Sequence, residues 1–165
     1  MKSMKSTNFQ FKKIMFLTPF IQISILAILF IGTTILANQS YQKTGLLFGN
    51  PLFTYMGILF APIYEEIIFR GIIFQKLLKG NSVFKAIILS SIIFGLWHIK
   101  NIFFQDMSHL ISQVLYTTFI FGPLMCLIAY KTKTIWIGSI IHYLNNFIIF
   151  FLTVNGIDWG ISFFR

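Results

Sequence analysis

The sequence predicts an all-α protein, a polytopic transmembrane helical bundle of about five spans with its N-terminus on the cytoplasmic side. Three observations lead there. The 165 residues are 56% hydrophobic and only 10% charged, with a mean hydropathy of +0.80, whereas a soluble domain carries roughly 25% charged residues on its surface. The apolar residues gather into runs that can cross a hydrocarbon core of about 30 Å, a distance that takes ~20 helical residues. The basic residues alternate in number from one connector to the next, as the positive-inside rule requires. Disorder is excluded by 21 Phe and by the long apolar runs. The one cysteine, Cys126 in an apolar run, leaves no intrachain disulfide and no Cys-x-x-Cys metal or redox motif.

The first span runs from Ile14 to Ala37 and contains no charge. Its apolar run is longer than the ~7–15 residues of a signal-peptide core, so it is read as a retained helix. The second lies between Pro51 and Leu78, with Gly49-Asn50-Pro51 before it and Gly80-Asn81-Ser82 after it as turn signals. The third, from Val83 to Ile99, is bounded by Lys85 and Lys100 and spans only if Lys85 snorkels toward the headgroups. The fourth runs from Ser108 to Tyr130 and the fifth from Thr134 to about Thr153. The chain thus divides into a basic N-terminus with the first helix and its connector (1–50), a core that carries the chemistry (51–153), and a short tail (154–165).

Nine connector and terminal cations, Lys2, Lys5, Lys12, Lys13, Lys76, Lys79, Lys85, Lys131 and Lys133, fall on one side, and three, Lys43, Lys100 and Arg165, on the other. Dispersed in this way, the net charge of +9 concerns topology and the lipid bilayer, and nucleic acid is not expected as a partner. Tyr130, Trp136 and Trp159 fit an aromatic belt. Gly45-x-x-x-Gly49 lies in a connector and is not read as a packing motif.

Of four acidic residues, Asp106 and Asp158 lie in or near connectors, while Glu65 and Glu66 sit mid-span with Arg70 close behind. Three ionised groups facing lipid would cost roughly 8–10 kcal/mol, so they must face the bundle interior or a wet cavity. Glu66 and Arg70 are one turn apart and can pair, which supports a packing role. Glu65, rotated about 100° away, points at something else. His98 lies in the outer part of span three, and His142 and Asn146 are one turn apart on span five. At 1.5 Å per residue Glu65, His98, His142 and Asn146 fall at depths of about 12 to 22 Å, a single central slab. His109, at the mouth of span four, is read as a packing residue.

A carboxylate and a histidine can share the deprotonation of a water. A second histidine and an amide can donate hydrogen bonds to the oxyanion that forms when that water attacks an acyl carbon. There is no His-Glu-x-x-His, no pair of aspartates within the spans and no Gly-x-Ser-x-Gly elbow.

The stretch Ala61-Pro62-Ile63-Tyr64-Glu65-Glu66-Ile67-Ile68-Phe69-Arg70-Gly71 resembles the EExxxR motif of the CAAX protease and bacteriocin-processing (CPBP, or Abi) family. Phe94-Gly95-Leu96-Trp97-His98 resembles its FxxxH motif, and His142-Tyr143-Leu144-Asn145-Asn146 its HxxxN motif. The resemblance implies a glutamate-dependent intramembrane endopeptidase in a bacterial cell membrane, acting on a peptide or a membrane-associated protein such as a bacteriocin, in processing or self-immunity. In it Glu65 and His98 activate water, His142 and Asn146 form the oxyanion hole, and Glu66 and Arg70 support the site or orient substrate. No cofactor is required in that mechanism. Zinc held by Glu65, His98 and His142 is the alternative, less favoured because Asn146 is a better oxyanion donor than ligand. A membrane immunity or binding protein that keeps the polar cluster for packing is the non-catalytic alternative, and a carrier is disfavoured by the lack of an internal repeat.

Overall fold

The structure, a computed structural model, describes residues 24–35, 55–103 and 106–157. Among these residues all regular structure is helical and falls into five stretches. Helix α1 spans Ser24–Ile35. Helix α2 occupies residues 55–80 without a break but changes pitch three times, being π over Tyr55–Phe60, α over Ala61–Glu66, π over Ile67–Ile73 and α over Phe74–Gly80. Helix α3, Val83–Trp97, tightens into a 3-10 segment, His98–Phe103. Helix α4 comprises Met107–Tyr116, a π turn over Thr117–Phe121 and Gly122–Thr132. Helix α5 is Trp136–Val154. The basic N-terminus, the Gly45-x-x-x-Gly49 pattern, Asp158 and Trp159 lie outside the described residues.

Helices Val83–Phe103, Met107–Thr132 and Trp136–Thr153 are each long and apolar enough to cross a membrane. The third span therefore exceeds its expected end at Ile99, because the 3-10 segment carries the chain on at about 2.0 Å per residue. Local sequence sets several boundaries. Ser82 caps α3 by accepting the Lys85 N–H, and Asp106 caps α4 by accepting the His109 N–H at 3.0 Å. Two of the three π turns stand just ahead of a proline, Pro62 or Pro123, where the missing N–H and the ring's clash with the preceding turn favour a widened helix.

Lipid tails are as apolar as leucine, so helices associate in a bilayer through close packing. The α3 and α4 backbones approach through small residues. A Cβ on Gly95 would collide with Thr118 Oγ1, and one on Gly122 would meet the Thr117 carbonyl and lie 3.0 Å from the Ser91 side chain. Phe69, Phe94, Phe121 and Met125 pack together between α2, α3 and α4, and Phe74, Ala86, Ile87 and Cys126 form a second cluster nearer the Gly80 turn. Helix α1 docks through the Tyr143 hydroxyl, which donates to the Leu29 carbonyl at 2.9 Å. Phe84, Phe103 and Phe119, 71–84% exposed, lie on faces that suit lipid contact.

Gly95→Ala and Gly122→Ala should each lower stability by about 1–3 kcal/mol through overpacking, despite the better helix propensity of Ala. Gly80→Ala meets nothing within 4 Å and should melt like the parent. Thermal unfolding in detergent micelles checks this, and equal melting of all three variants would contradict the close crossing.

Candidate active site

Helix α2 brings two adjacent carboxylates into the bundle and sends them to different partners. Glu66 and Arg70 are fully buried. Arg70 Nη1 lies 3.0 Å from Glu66 Oε1, Nη2 donates to the Gly122 carbonyl at 3.4 Å, and the guanidinium stands 4.2 Å over the Phe94 ring. The same Glu66 oxygen is 3.1 Å from His142 Nδ1. One ion pair thus ties α2 to α3, α4 and α5. Helix α5 can come this close because residue 138 is glycine, where a Cβ would lie 3.0 Å from Glu66 Oε2.

Glu65 faces the other way, and its two oxygens have distinct surroundings. Oε1 accepts from Trp97 Nε1 at 2.9 Å and from the Tyr64 hydroxyl at 3.4 Å, with Lys100 Nζ at 3.7 Å. Oε2 faces two imidazoles, His142 Nε2 at 3.7 Å and His98 Nε2 at 4.0 Å. Glu65, His98 and His142 are 3–6% exposed, so this is an interior site. His98 Nδ1 is 2.8 Å from the Phe94 carbonyl, which can only accept, so Nδ1 carries a proton, and it is Nε2 that in the neutral tautomer presents a lone pair toward Glu65. Aromatic edges hold both rings in place: Phe94 against His98 at 4.7 Å and Phe121 against His142 at 4.9 Å between centroids.

The structure therefore joins Glu65, His98 and His142 directly and Glu66 and Arg70 through His142. Asn146 stands one turn beyond His142 on α5, and its amide is bonded elsewhere. Its Nδ2 donates to the Gly57 carbonyl at 2.9 Å, and its Oδ1 accepts from Asn145 Nδ2 at 3.3 Å. His109 lies apart at the start of α4, where its Nδ1 is 2.6 Å from Asp106 Oδ2. Its backbone N–H, and then its ring, hold the Asp106 carboxyl below the usual carboxylate range, so this cap is present above the ordinary Asp pKa and weakens as pH falls below it.

Tyr64, Trp97 and Lys100 were not among the residues singled out from sequence. Lys100 figured there only as a connector cation, yet its ammonium lies 3.6 Å over the Trp97 ring and beside Glu65. The available signal was adjacency: Tyr64 precedes Glu65, and Trp97 precedes His98. Each carboxylate has a cation against it, Lys100 at Glu65 and Arg70 at Glu66. Among the described residues no three His, Cys, Asp or Glu side chains form a group that could hold a metal ion.

The model of the family described as Type II CAAX prenyl endopeptidase Rce1-like matches residues 47–148, more than half of the chain. The matched stretch holds Glu65, His98, His142 and Asn146. Over 96 residues the chain is 36% identical to a protein of Bacillus subtilis (strain 168) named "Putative membrane peptidase YdiL". That alignment takes in 58% of this chain and 35% of the relative, so the chain spans about a third of the length of the curated protein it matches. No solved structure matches. With apolar helices fit to cross a membrane and a family model covering the buried Glu–His cluster from end to end, the chain belongs to the Rce1-like family of type II CAAX prenyl endopeptidases.

Proposed function

We propose that this chain is an intramembrane endopeptidase in which Glu65 acts as general base on a water molecule. The observation that carries the reading is the pair of acceptors, Glu65 Oε2 and His98 Nε2, 4.0 Å apart. One water donating to both, with hydrogen bonds of about 2.8 Å, spans that distance at an angle of about 90°, which slightly bent hydrogen bonds accommodate. Both its protons are then directed and a lone pair is left to attack. Trp97, Tyr64 and Lys100 hold Oε1, so the base offers the water a single oxygen.

In the reaction the water oxygen bonds to the scissile carbonyl carbon while one water proton passes to Glu65 Oε2 and the other stays hydrogen-bonded to His98 Nε2. The carbonyl oxygen becomes an oxyanion that accepts from the second N–H of Asn146 Nδ2 and from His142. Flanked by Glu66 at Nδ1 and Glu65 at Nε2, His142 donates through Nε2 when the ring is protonated on both nitrogens. Glu65 then passes its proton to the leaving nitrogen, the C–N bond breaks, and the products are a carboxylic acid and an amine. Glu66 and Arg70 act at one remove, by fixing His142.

We read the mechanism as metal-free. Lys100 and Arg70 already balance the two carboxylates, and a divalent cation among Glu65, His98 and His142 would lie beside the Lys100 ammonium. Peptides or membrane-tethered proteins are the substrate class, met within the bilayer of a bacterial cell. A bacteriocin as that substrate, or a self-immunity role, rests on the motif resemblance alone.

Cleavage of a mixed peptide library by detergent-solubilised protein, with the new termini read by mass spectrometry, tests the activity. Glu65→Gln and His98→Ala should each lower the rate by about 10²–10⁴-fold while melting cooperatively, and wild-type cleavage by either variant would overturn the reading. Cleavage should persist in a strong zinc chelator, whereas its loss and recovery on zinc addition would install the metal mechanism. Arg70→Ala leaves Glu66 as an unpaired buried charge and should cost about 3–5 kcal/mol of stability, seen as a lowered melting temperature as well as lost turnover.

A further inference from the structure

The proposed oxyanion donor, Asn146, can serve only if its amide is turned the right way, and a chain of hydrogen bonds fixes that choice. The Gly57 carbonyl can only accept, so the Asn146 group 2.9 Å from it must be Nδ2. Gly57 lies in the π segment Tyr55–Phe60, and in a π register its carbonyl would look to residue 62, a proline with no N–H to give. The carbonyl takes a side-chain donor from α5 instead. With Nδ2 committed there, Asn146 Oδ1 faces Asn145, which must present its own Nδ2 at 3.3 Å. Asn145 Oδ1 is thereby turned to Tyr116, whose hydroxyl donates to it at 2.8 Å. The Tyr116 ring is in turn stacked on Phe121 at 5.7 Å, and Phe121 packs against His142. The Gly57 carbonyl, which can only accept, sets the direction of every bond in the series. A flipped Asn146 would set two acceptor oxygens against each other at Gly57.

We infer that Tyr116 and Asn145 are positioning residues, which through the series Tyr116–Asn145–Asn146–Gly57 hold the Asn146 amide with its second N–H free to donate to the oxyanion. The inference rests on the proposed role of Asn146 and adds to it two residues, one on α4 and one on α5, that do not touch the reacting atoms. Losing either should weaken stabilisation of the transition state and leave substrate binding unchanged.

The test is a double-mutant cycle on a fluorogenic peptide chosen from the library by wild-type cleavage. Tyr116→Phe, which removes only the hydroxyl, and Asn145→Leu, which keeps the branched shape without the polar atoms, should each lower kcat about 5- to 10-fold, as loss of one hydrogen bond does, with KM held within about twofold. Placed in an Asn146→Ala background, neither should cost anything more. The side-chain amide signal of Asn146 in protein labelled with 15N-asparagine should shift in Tyr116→Phe, a readout that does not depend on turnover. Wild-type kcat in Tyr116→Phe with an unmoved amide signal, or losses that multiply in the Asn146→Ala background, would overturn the inference. Wild-type kcat in Asn146→Ala would instead remove the oxyanion role of Asn146, and the inference with it.

Discussion

The architecture depends on one buried ion pair, Glu66 with Arg70, held in a bundle that has few other charges to offer. An apolar bundle obliges such a pair to draw its partners from the protein. Arg70 draws on Glu66, the Gly122 carbonyl and the Phe94 ring through its terminal nitrogens and guanidinium face, and Glu66 on Arg70 and His142 through Oε1, while Arg70 Nε and Glu66 Oε2 are buried without a hydrogen bond among the described residues. These contacts reach α2, α3, α4 and α5. The positions that admit the pair are correspondingly constrained, with glycine at 138 and 122 where a Cβ would press on Glu66 or on the α4 turn. The pair that makes the bundle cohere thus also fixes the Nδ1 side of His142 and turns its Nε2 toward Glu65.

Two carboxylates one residue apart consequently take different parts. Glu66 is neutralised by Arg70 and built into the packing. Glu65 is anchored by one oxygen only, and its other oxygen faces imidazoles across gaps longer than a hydrogen bond, the spacing at which a bridging water fits. In the proposed reaction, a carboxylate held at one oxygen and presented at the other is preorganised as a base, so little reorientation is needed when the proton moves. The aromatic residues around His98 and His142 restrict ring rotation in the same sense.

Much of this was legible in the sequence, for identifiable reasons. Apolar runs fixed the helices because a bilayer punishes exposed backbone and charge. The four-residue spacing of Glu66 and Arg70 announced their pairing, and the 100° offset of Glu65 announced that it looked elsewhere. What sequence did not show is what departs from ideal α-helical periodicity. The π turns have local causes at Pro62 and Pro123, but the one over Ile67–Ile73 carries no such mark. Lys100 reaches Glu65 because the chain tightens to a 3-10 helix at His98, which places residue 100 on a face that α-helical periodicity would not assign it. Tyr116 and Asn145 meet across two helices, a contact with no local signature in a single chain.

The central claim is that Glu65 activates water and does not itself attack the peptide bond. A single turnover in H2(18)O, followed by mass spectrometry of the product and of the peptide containing Glu65, tests it most directly. Direct attack by water places the heavy oxygen in the newly formed product carboxylate and leaves Glu65 unlabelled. Heavy oxygen in the Glu65 carboxylate after that first turnover would mean a covalent acyl–glutamate intermediate, and would contradict the account.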